Sequence, residues 1–260
     1  MESEIYLDYD TFMHRLDART KLLLFVLFFF AIIQFENPLW MLPVAFLVFL
    51  QLLASRAMRN LLRIRHILVV MTISSVIIWN VFASGETPLF WFFEYESLLY
   101  SLNRLLLILQ FITLGVVLIS TTRNEELVMG MIKLGLPYRV GFAISTAVRL
   151  VPTIAASAQT IGQAQRSRGL DLESGNLLER VRKFLPLLIP VFISTIRNTN
   201  IFAMALESRG FGARPKRTYF LQMGMKTADY VVLAIALAFT LVSIYLNLRG
   251  HGSIPGLIRF

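Results

Sequence analysis

The sequence contains no cysteine and only three histidines, which leaves few residues for metal or redox chemistry. Without cysteine there is no disulfide, no thiolate metal site and no thiol nucleophile. The histidines His14, His66 and His251 are far apart in the chain, and a histidine metal site would need all three to converge. We therefore expect no metal site and no cofactor bound by this chain.

The short motifs of the common enzyme classes are also missing. There is no Walker A sequence, so the chain by itself is not expected to bind ATP in the P-loop manner. Neither a Gly-x-Ser-x-Gly elbow nor a His-Glu-x-x-His zinc motif occurs. Carboxylates are almost absent from the apolar segments, which argues against a proton-coupled carrier. These absences predict a non-catalytic protein.

Long apolar runs are the main feature that the sequence does have. Apolar residues make up 56% of the chain, whereas soluble domains have roughly 45–50%. A bilayer core requires roughly 20 apolar residues per helix. We expect an all-α membrane protein with about five transmembrane helices, at residues 22–35, 39–54, 67–83, 98–120 and 230–248.

The basic residues predict how these helices are oriented. The chain carries a net charge of +9, and among the segments before and between the first four spans, Lys and Arg residues occur before the first span and between the second and third. The links between spans one and two and between spans three and four hold none. By the positive-inside rule we expect the N-terminus to be cytoplasmic and the C-terminus to be extracytoplasmic.

A large basic segment separates the fourth span from the fifth. Residues 123–227 hold 15 of the 25 Lys and Arg residues. The sequence thus divides into residues 1–122 with four spans, residues 123–227 as a cytoplasmic module, and residues 228–260 with the last span and the C-terminus. Gly and Pro punctuation predicts a short helix at 124–134 and two long amphipathic helices at 138–168 and 176–209.

Both long helices end in the same three residues. Ser167-Arg168-Gly169 closes the first and Ser208-Arg209-Gly210 closes the second. An ordinary explanation exists, because Arg favours a helix C-terminus and Gly supplies the left-handed turn that ends a helix. Arg249-Gly250 shows the dipeptide elsewhere. The functional alternative is that two equivalent cationic helix ends bind two equivalent sites on a dimeric partner.

Several other segments match the pattern of one known family. Residues 14–22 read His-Arg-Leu-Asp-Ala-Arg-Thr-Lys-Leu, and residues 134–137 read Leu-Gly-Leu-Pro. With Arg-Leu-Val-Pro at 149–152, they resemble the transmembrane T component of energy-coupling factor (ECF) ABC transporters, the CbiQ-type permease family. That family usually has Pro where Ala18 stands.

The two helix ends extend this resemblance. Residues 164–169 and 203–212 are similar to the two Ala-Arg-x signatures of the family, with Ser167 and Ser208 where alanine is more usual. Because serine is also small, we expect the helix end to approach a partner protein as closely as with alanine. The resemblance covers most of the chain, and the motifs are specific only when taken together.

The resemblance implies a coupling function in a prokaryotic cell (inner) membrane. In this family two long cytoplasmic helices cross like an X, and their arginine ends sit in grooves of two ABC-type ATPase subunits, which bind ATP and Mg. A substrate-binding membrane protein, the S component, packs on the same helices and carries a vitamin, cobalt or nickel across the membrane. The residues expected to dock the ATPases are Ser167, Arg168, Gly169, Ser208, Arg209 and Gly210.

A platform for the S component is expected on the second long helix. Its candidates are Phe184, Leu185, Leu188, Val191 and Phe192, which could instead bury against this protein's own spans. Three rival functions remain open from the sequence. They are a conventional ABC permease half that lines the pathway itself, an enzyme using the local acids Asp171, Glu173 and Glu179, and a scaffold for anionic lipid.

Overall fold

The computed structural model describes residues 6–84, 88–90, 93–170, 176–213, 224–253 and 258–259, and it is mainly helical. The chain divides into two compact units, Met1–Leu136 with Met223–Phe260 and Pro137–Gln222. The helices are, in order, α1 (Phe12–Arg15), α2 (Ala18–Ile33), α3 (Pro38–Ser55), α4 (Met58–Arg63), α5 (Arg65–Phe82), α6 (Tyr95–Thr121), α7 (Asn124–Lys133), α8 (Tyr138–Ser167), α9 (Leu177–Ser208) and α10 (Thr227–Leu248).

The predicted helices are all present among these elements. Each of them begins and ends within four residues of its expected position, because apolar periodicity and the Gly and Pro positions mark both ends. The sequence did not predict the short helices α1 and α4. It also missed two short antiparallel strand pairs, β1 (Ala83–Ser84) with β4 (Ile258–Arg259) and β2 (Pro88–Phe90) with β3 (Phe93–Glu94).

Among the residues that the structure describes, five helices are long and apolar enough to cross a membrane, the number expected, but two of them are not the expected ones. By length and composition these five are α3, α6, α8, the Arg182–Ser208 part of α9, and α10. The expected first span, α2, has 16 residues and is only about 24 Å long at 1.5 Å per residue. The expected third span, α5, has a shorter apolar stretch, Arg65–Asn80. The chain is a multi-pass membrane protein.

The core of the first unit lies around α2. This helix packs against α3, α6, α7 and α10, and α3 also packs against α6. The core side chains include Phe28, Ala31, Ile32, Met41, Val44, Val48, Leu52, Leu114 and Val117. Large apolar side chains on the other face of α3, such as Phe46, are exposed. This arrangement suits a helix with one face toward lipid, where apolar surface needs no cover.

A buried carboxylate joins the beginning of α2 to the beginning of α10. The Asp229 carboxylate accepts a hydrogen bond from the backbone N–H of Asp17 at 2.9 Å and another from that of Lys226 at 2.7 Å. Asp17 in turn caps α2, since its side chain accepts from the N–H of Arg19. The N–H groups of Asp17 and Lys226 lie just before α2 and α10 and have no acceptor within those helices. Asp229 supplies the acceptor for both.

Lys21 fixes the end of α6 to the same region. Its ammonium group donates to the carbonyl of Thr121 at 2.7 Å and to that of His14 at 3.2 Å. His14 itself hydrogen-bonds Thr11 through Nδ1 and the carbonyl of Leu7 through Nε2. Residues 14–21, which carry part of the family resemblance, therefore bring together segments from both ends of the first unit.

The helix α7 also rests on the first turn of α2. A Cβ placed on Gly130 would lie 3.1 Å from the Cβ of Ala18 and 3.3 Å from the backbone nitrogen of Arg19. These distances are shorter than most Cβ contacts, so a side chain at position 130 would need its neighbours to shift by a few tenths of an ångström. Gly130 thus allows α7 to lie close to the first turn of α2.

We predict that Asp229→Ala lowers the thermal midpoint of the detergent-purified chain. The change leaves the buried N–H of Asp17 without an acceptor, which costs roughly 1–3 kcal/mol. Asp10→Ala is the matched control, because Asp10 forms an exposed ion pair with Arg15 and should contribute almost nothing. Equal midpoints for the two variants would contradict the role given to Asp229.

Candidate functional site

The second unit is built from α8 and α9, which run antiparallel in contact with each other. Near the α8–α9 connection the side chain of Gln165 contacts the backbone of Pro186, and at the other end the Phe142 and Phe211 rings lie 4.4 Å apart between centroids. Because the helices are antiparallel, their C-terminal ends lie at opposite ends of the pair. Because the Phe211 ring lies beside Phe142, 26 residues of α8 separate the two ends, or about 39 Å at 1.5 Å per residue.

The C-terminal end of α8 has a well-defined turn. The N–H of Gly169 donates to the carbonyl of Arg166 at 2.9 Å, and the N–H of Leu170 donates to that of Gln165 at 3.0 Å. These two bonds define a Schellman motif, which needs a left-handed residue after the cap. Gly169 has φ +90°, and a Cβ there would meet no atom within 4 Å. Glycine is therefore required by backbone conformation and not by packing.

The C-terminal end of α9 repeats this geometry. The N–H of Gly210 donates to Glu207 and that of Phe211 donates to Leu206, both at 2.9 Å, and Gly210 has φ +71°. The repeated Ser-Arg-Gly sequence thus gives the same backbone structure twice. In both cases the arginine is the last residue before the left-handed glycine.

A third helix end shows that this geometry alone is not specific. At the end of α10 the N–H groups of Gly250 and His251 make the same two bonds, and Gly250 has φ +80°. The surroundings of the arginines differ. The Arg249 guanidinium lies 4.6 Å from the centre of the Tyr245 ring. Arg168 and Arg209 are exposed, and within the described ranges neither side chain has a recorded hydrogen bond, ion pair or ring contact.

The two serines contribute small side chains that are already hydrogen-bonded. Ser167 Oγ donates to the carbonyl of Gln163 at 3.1 Å, and Ser208 Oγ donates to that of Ala205 at 3.0 Å. Each hydroxyl is paired with its own helix, as is usual for serine within helices. At both ends the serine therefore resembles the alanine that is more usual in the related signature.

The surroundings of the two arginine ends are different. Phe211, which directly follows Gly210, packs on Phe142 and lies near Tyr138, and it remains 39% exposed. Beside Arg168 there is instead a polar contact, in which Gln165 Nε2 donates to the carbonyl of Pro186 at 3.0 Å. The second end is thus fixed by aromatic packing and the first by a directional hydrogen bond.

The apolar candidates on α9 face outward. Phe184, Leu185, Leu188 and Phe192 are exposed, with Phe192 at 69%, and Val191 is half-buried. The groove between α8 and α9 is by contrast partly polar, with Thr153, Ser157, Thr195, Asn198 and Thr199 among its lining residues. Polar residues between the helices and apolar residues outside are typical of helix pairs in apolar surroundings.

The remaining candidates have other roles or lie outside the described residues. Burial lowers the pKa of the His14 imidazole, and both of its ring nitrogens are hydrogen-bonded. No group of three His, Asp or Glu side chains suited to a metal ion occurs among the residues that the structure describes. Asp171 and Glu173 lie outside those residues, and so does the side chain of Glu179.

Two residues that sequence reasoning missed are Gln165 and Asp229. The absence of an N–H at Pro190 could have indicated that the carbonyl of Pro186 needs a donor from elsewhere. Nothing in the pattern identifies Gln165 as that donor. The role of Asp229 depends on a partner 212 residues away in the chain.

Comparison with known proteins identifies relatives along nearly the whole chain. The family model CbiQ, described as "Cobalt transport protein", matches residues 10–220. Three proteins named energy-coupling factor transporter transmembrane protein EcfT are also similar. That of Clostridium kluyveri is 28% identical, with 92% of this chain and 94% of the relative covered. That of Lactococcus lactis is 28% identical, covering 92% and 95%, and that of Acidaminococcus fermentans is 30% identical, covering 90% and 92%.

Proposed function

Since the chain belongs to the CbiQ family and is the membrane T component of an ECF transporter, we propose that it couples two ATPase subunits to a separate S component. The chain is a non-catalytic transporter subunit, and ATP hydrolysis lies with its partners. In this proposal ATP and Mg are bound by the partners, one S component is present, and the solute is a vitamin or a transition-metal ion chosen by that S component.

The pair of arginine ends is the observation that carries the proposal. Arg168 and Arg209 are both exposed, have the same backbone geometry and lie at opposite ends of an antiparallel helix pair. Two cations about 39 Å apart along the helix pair suit two equivalent acidic grooves on a dimeric partner. An arginine guanidinium can donate two hydrogen bonds to one carboxylate, which fixes the orientation of the pair. A small displacement of the groove would therefore move the arginine and its helix in the same direction.

The exposed apolar face of α9 supports the second part of the proposal. Leu188, Phe192 and their neighbours present a continuous apolar surface along one side of the helix. A membrane-embedded S component would cover such a surface, whereas a water-exposed helix would not be expected to keep it. The same helix would then contact the S component along its side and an ATPase at its end.

The proposal also requires α8 and α9 to stay on the cytoplasmic side. Both are long enough to span a membrane, but α9 has an exposed arginine, Arg197, near its middle. A charged side chain at the bilayer centre is costly unless it is paired or reaches water. With the basic character of residues 123–227, this favours helices that lie along the cytoplasmic membrane face.

Charge reversal at the two arginines tests the docking. We expect Arg168→Glu and Arg209→Glu each to reduce retention of the ATPase subunits by the affinity-tagged chain at least about tenfold, since a buried interfacial charge pair costs roughly 2–5 kcal/mol to break. Co-purification from the native host membrane provides the measurement. Arg249→Glu is the matched control, because it has the same helix-end geometry. Unchanged ATPase retention in the double variant would disprove the docking.

Truncation of the exposed face of α9 tests the platform. We expect Phe192→Ala to release the S component from the purified complex while the ATPase subunits remain bound, because contact area with one partner only is lost. Phe46→Ala is the control, since Phe46 is 64% exposed on α3. The subunit composition of the complex gives the answer. An S component retained equally by both variants would exclude this part of the platform.

The cysteine-free sequence allows a direct test of orientation. Single substitutions Val140→Cys and Ser167→Cys place thiols near the two ends of α8, and Ser253→Cys places one after α10. With a membrane-impermeant maleimide on intact cells, we expect labelling of the third variant alone. The other two should react only after permeabilisation. Labelling of Val140→Cys and Ser167→Cys from opposite sides would show that α8 crosses the membrane.

A further inference from the structure

A proline in α9 leaves one carbonyl without its helical partner. In a regular α-helix the carbonyl of Pro186 would accept the N–H of residue 190, but that residue is Pro190 and has no N–H. The helix nevertheless continues without interruption from Leu177 to Ser208. The missing donor is supplied by the neighbouring helix, because Gln165 Nε2 donates to the Pro186 carbonyl at 3.0 Å.

Gln165 also holds the turn that presents Arg168. Its own backbone carbonyl accepts the N–H of Arg168 at 3.1 Å and the N–H of Leu170 at 3.0 Å. One residue thus bonds to α9 through its side chain and to the arginine end through its main chain. The two helices also pack against each other one turn earlier in α8, where Leu187 Cδ1 lies 3.6 Å from the position of a Cβ on Gly162.

We propose that Gln165 is a positioning residue that ties the Arg168 end of α8 to the body of α9. A displacement applied at Arg168 is then passed to α9, which carries the exposed apolar face, instead of being absorbed by separation of the two helices. This inference rests on the proposed function, because it describes how a displacement that an ATPase subunit applies at Arg168 would reach α9.

Removal of the amide donor tests the tie. Gln165→Leu keeps the side-chain size and the backbone carbonyl that holds Arg168, but it cannot donate to Pro186. We expect the ATPase subunits to remain bound and ATP hydrolysis to continue. The amount of substrate transported per ATP should fall roughly three- to tenfold, the effect of losing one hydrogen bond. Proteoliposomes holding the full complex are assayed with labelled Co²⁺, Ni²⁺ or vitamin, whichever the wild-type complex transports.

The control substitution is Gln163→Leu. Gln163 lies two residues earlier on α8 and is exposed, and its side chain has no recorded partner among the described residues. Transport per ATP should match the wild type in this variant. A coupling ratio in Gln165→Leu equal to that of Gln163→Leu would overturn the inference.

A second variant, Pro190→Ala, tests whether Gln165 links the two helices or only supplies a hydrogen-bond donor for the Pro186 carbonyl. Pro190→Ala restores the N–H at position 190, so the Pro186 carbonyl is paired within α9 even when Gln165 is replaced. We expect Gln165→Leu to lower transport per ATP by a similar factor in this background, relative to Pro190→Ala alone. Full coupling in the double variant would show that Gln165 only satisfies the carbonyl, which contradicts the proposal.

The same measurements distinguish this inference from the docking on which it rests. Retention of the ATPase subunits reports on Arg168 and Arg209, whereas transport per ATP at normal retention reports on Gln165. If charge reversal releases the ATPases but Gln165→Leu couples normally, only the inference about Gln165 fails. If charge reversal leaves the ATPases bound and coupled, docking at Arg168 and the path through Gln165 both fail.

Discussion

The first turn of α2 holds the two segments that lead into and out of the second unit. The chain enters that unit after α7, whose Gly130 rests on Ala18, and it returns in α10, whose Asp229 binds the N–H of Asp17. Two adjacent residues therefore anchor both connections. Both contacts involve residues 14–21, the segment that carries part of the family resemblance.

Asp229 and Gln165 solve the same physical problem in different places. The N–H of Asp17 has no acceptor within α2, and Asp229 supplies one. The carbonyl of Pro186 has no donor within α9, and Gln165 supplies one. The N–H of Asp17 is buried, so leaving it unpaired would be costly, whereas the bond from Gln165 to Pro186 lies at the exposed surface of the helix pair. The few polar side chains that pair these groups therefore fix helices to one another.

The sequence predicted the helices well because their signals are local. Apolar runs, Gly135 and the prolines each indicate a helix or a helix end from a few neighbouring residues. The predicted helix ends therefore lie within four residues of the observed ones. The hydrogen bonds that position them were not predictable, because Asp17 and Asp229 are 212 residues apart and many other pairings are compatible with the same pattern. Helix length was also a poor guide to position, since α2 supplies several core side chains although it has only 16 residues.

The three Arg-Gly helix ends show why a motif alone could not define the site. Arg168, Arg209 and Arg249 precede glycines with the same left-handed conformation, so the dipeptide reports only how the helix ends. What distinguishes them is what each arginine contacts, and Arg249 already lies over a tyrosine ring. The other two ends differ in turn, because Phe211 packs on Phe142 just after Arg209, whereas near Arg168 the Gln165 amide donates a hydrogen bond to the Pro186 carbonyl. The two arginine ends are therefore equal in charge and backbone geometry but unequal in how each is attached to the neighbouring helix.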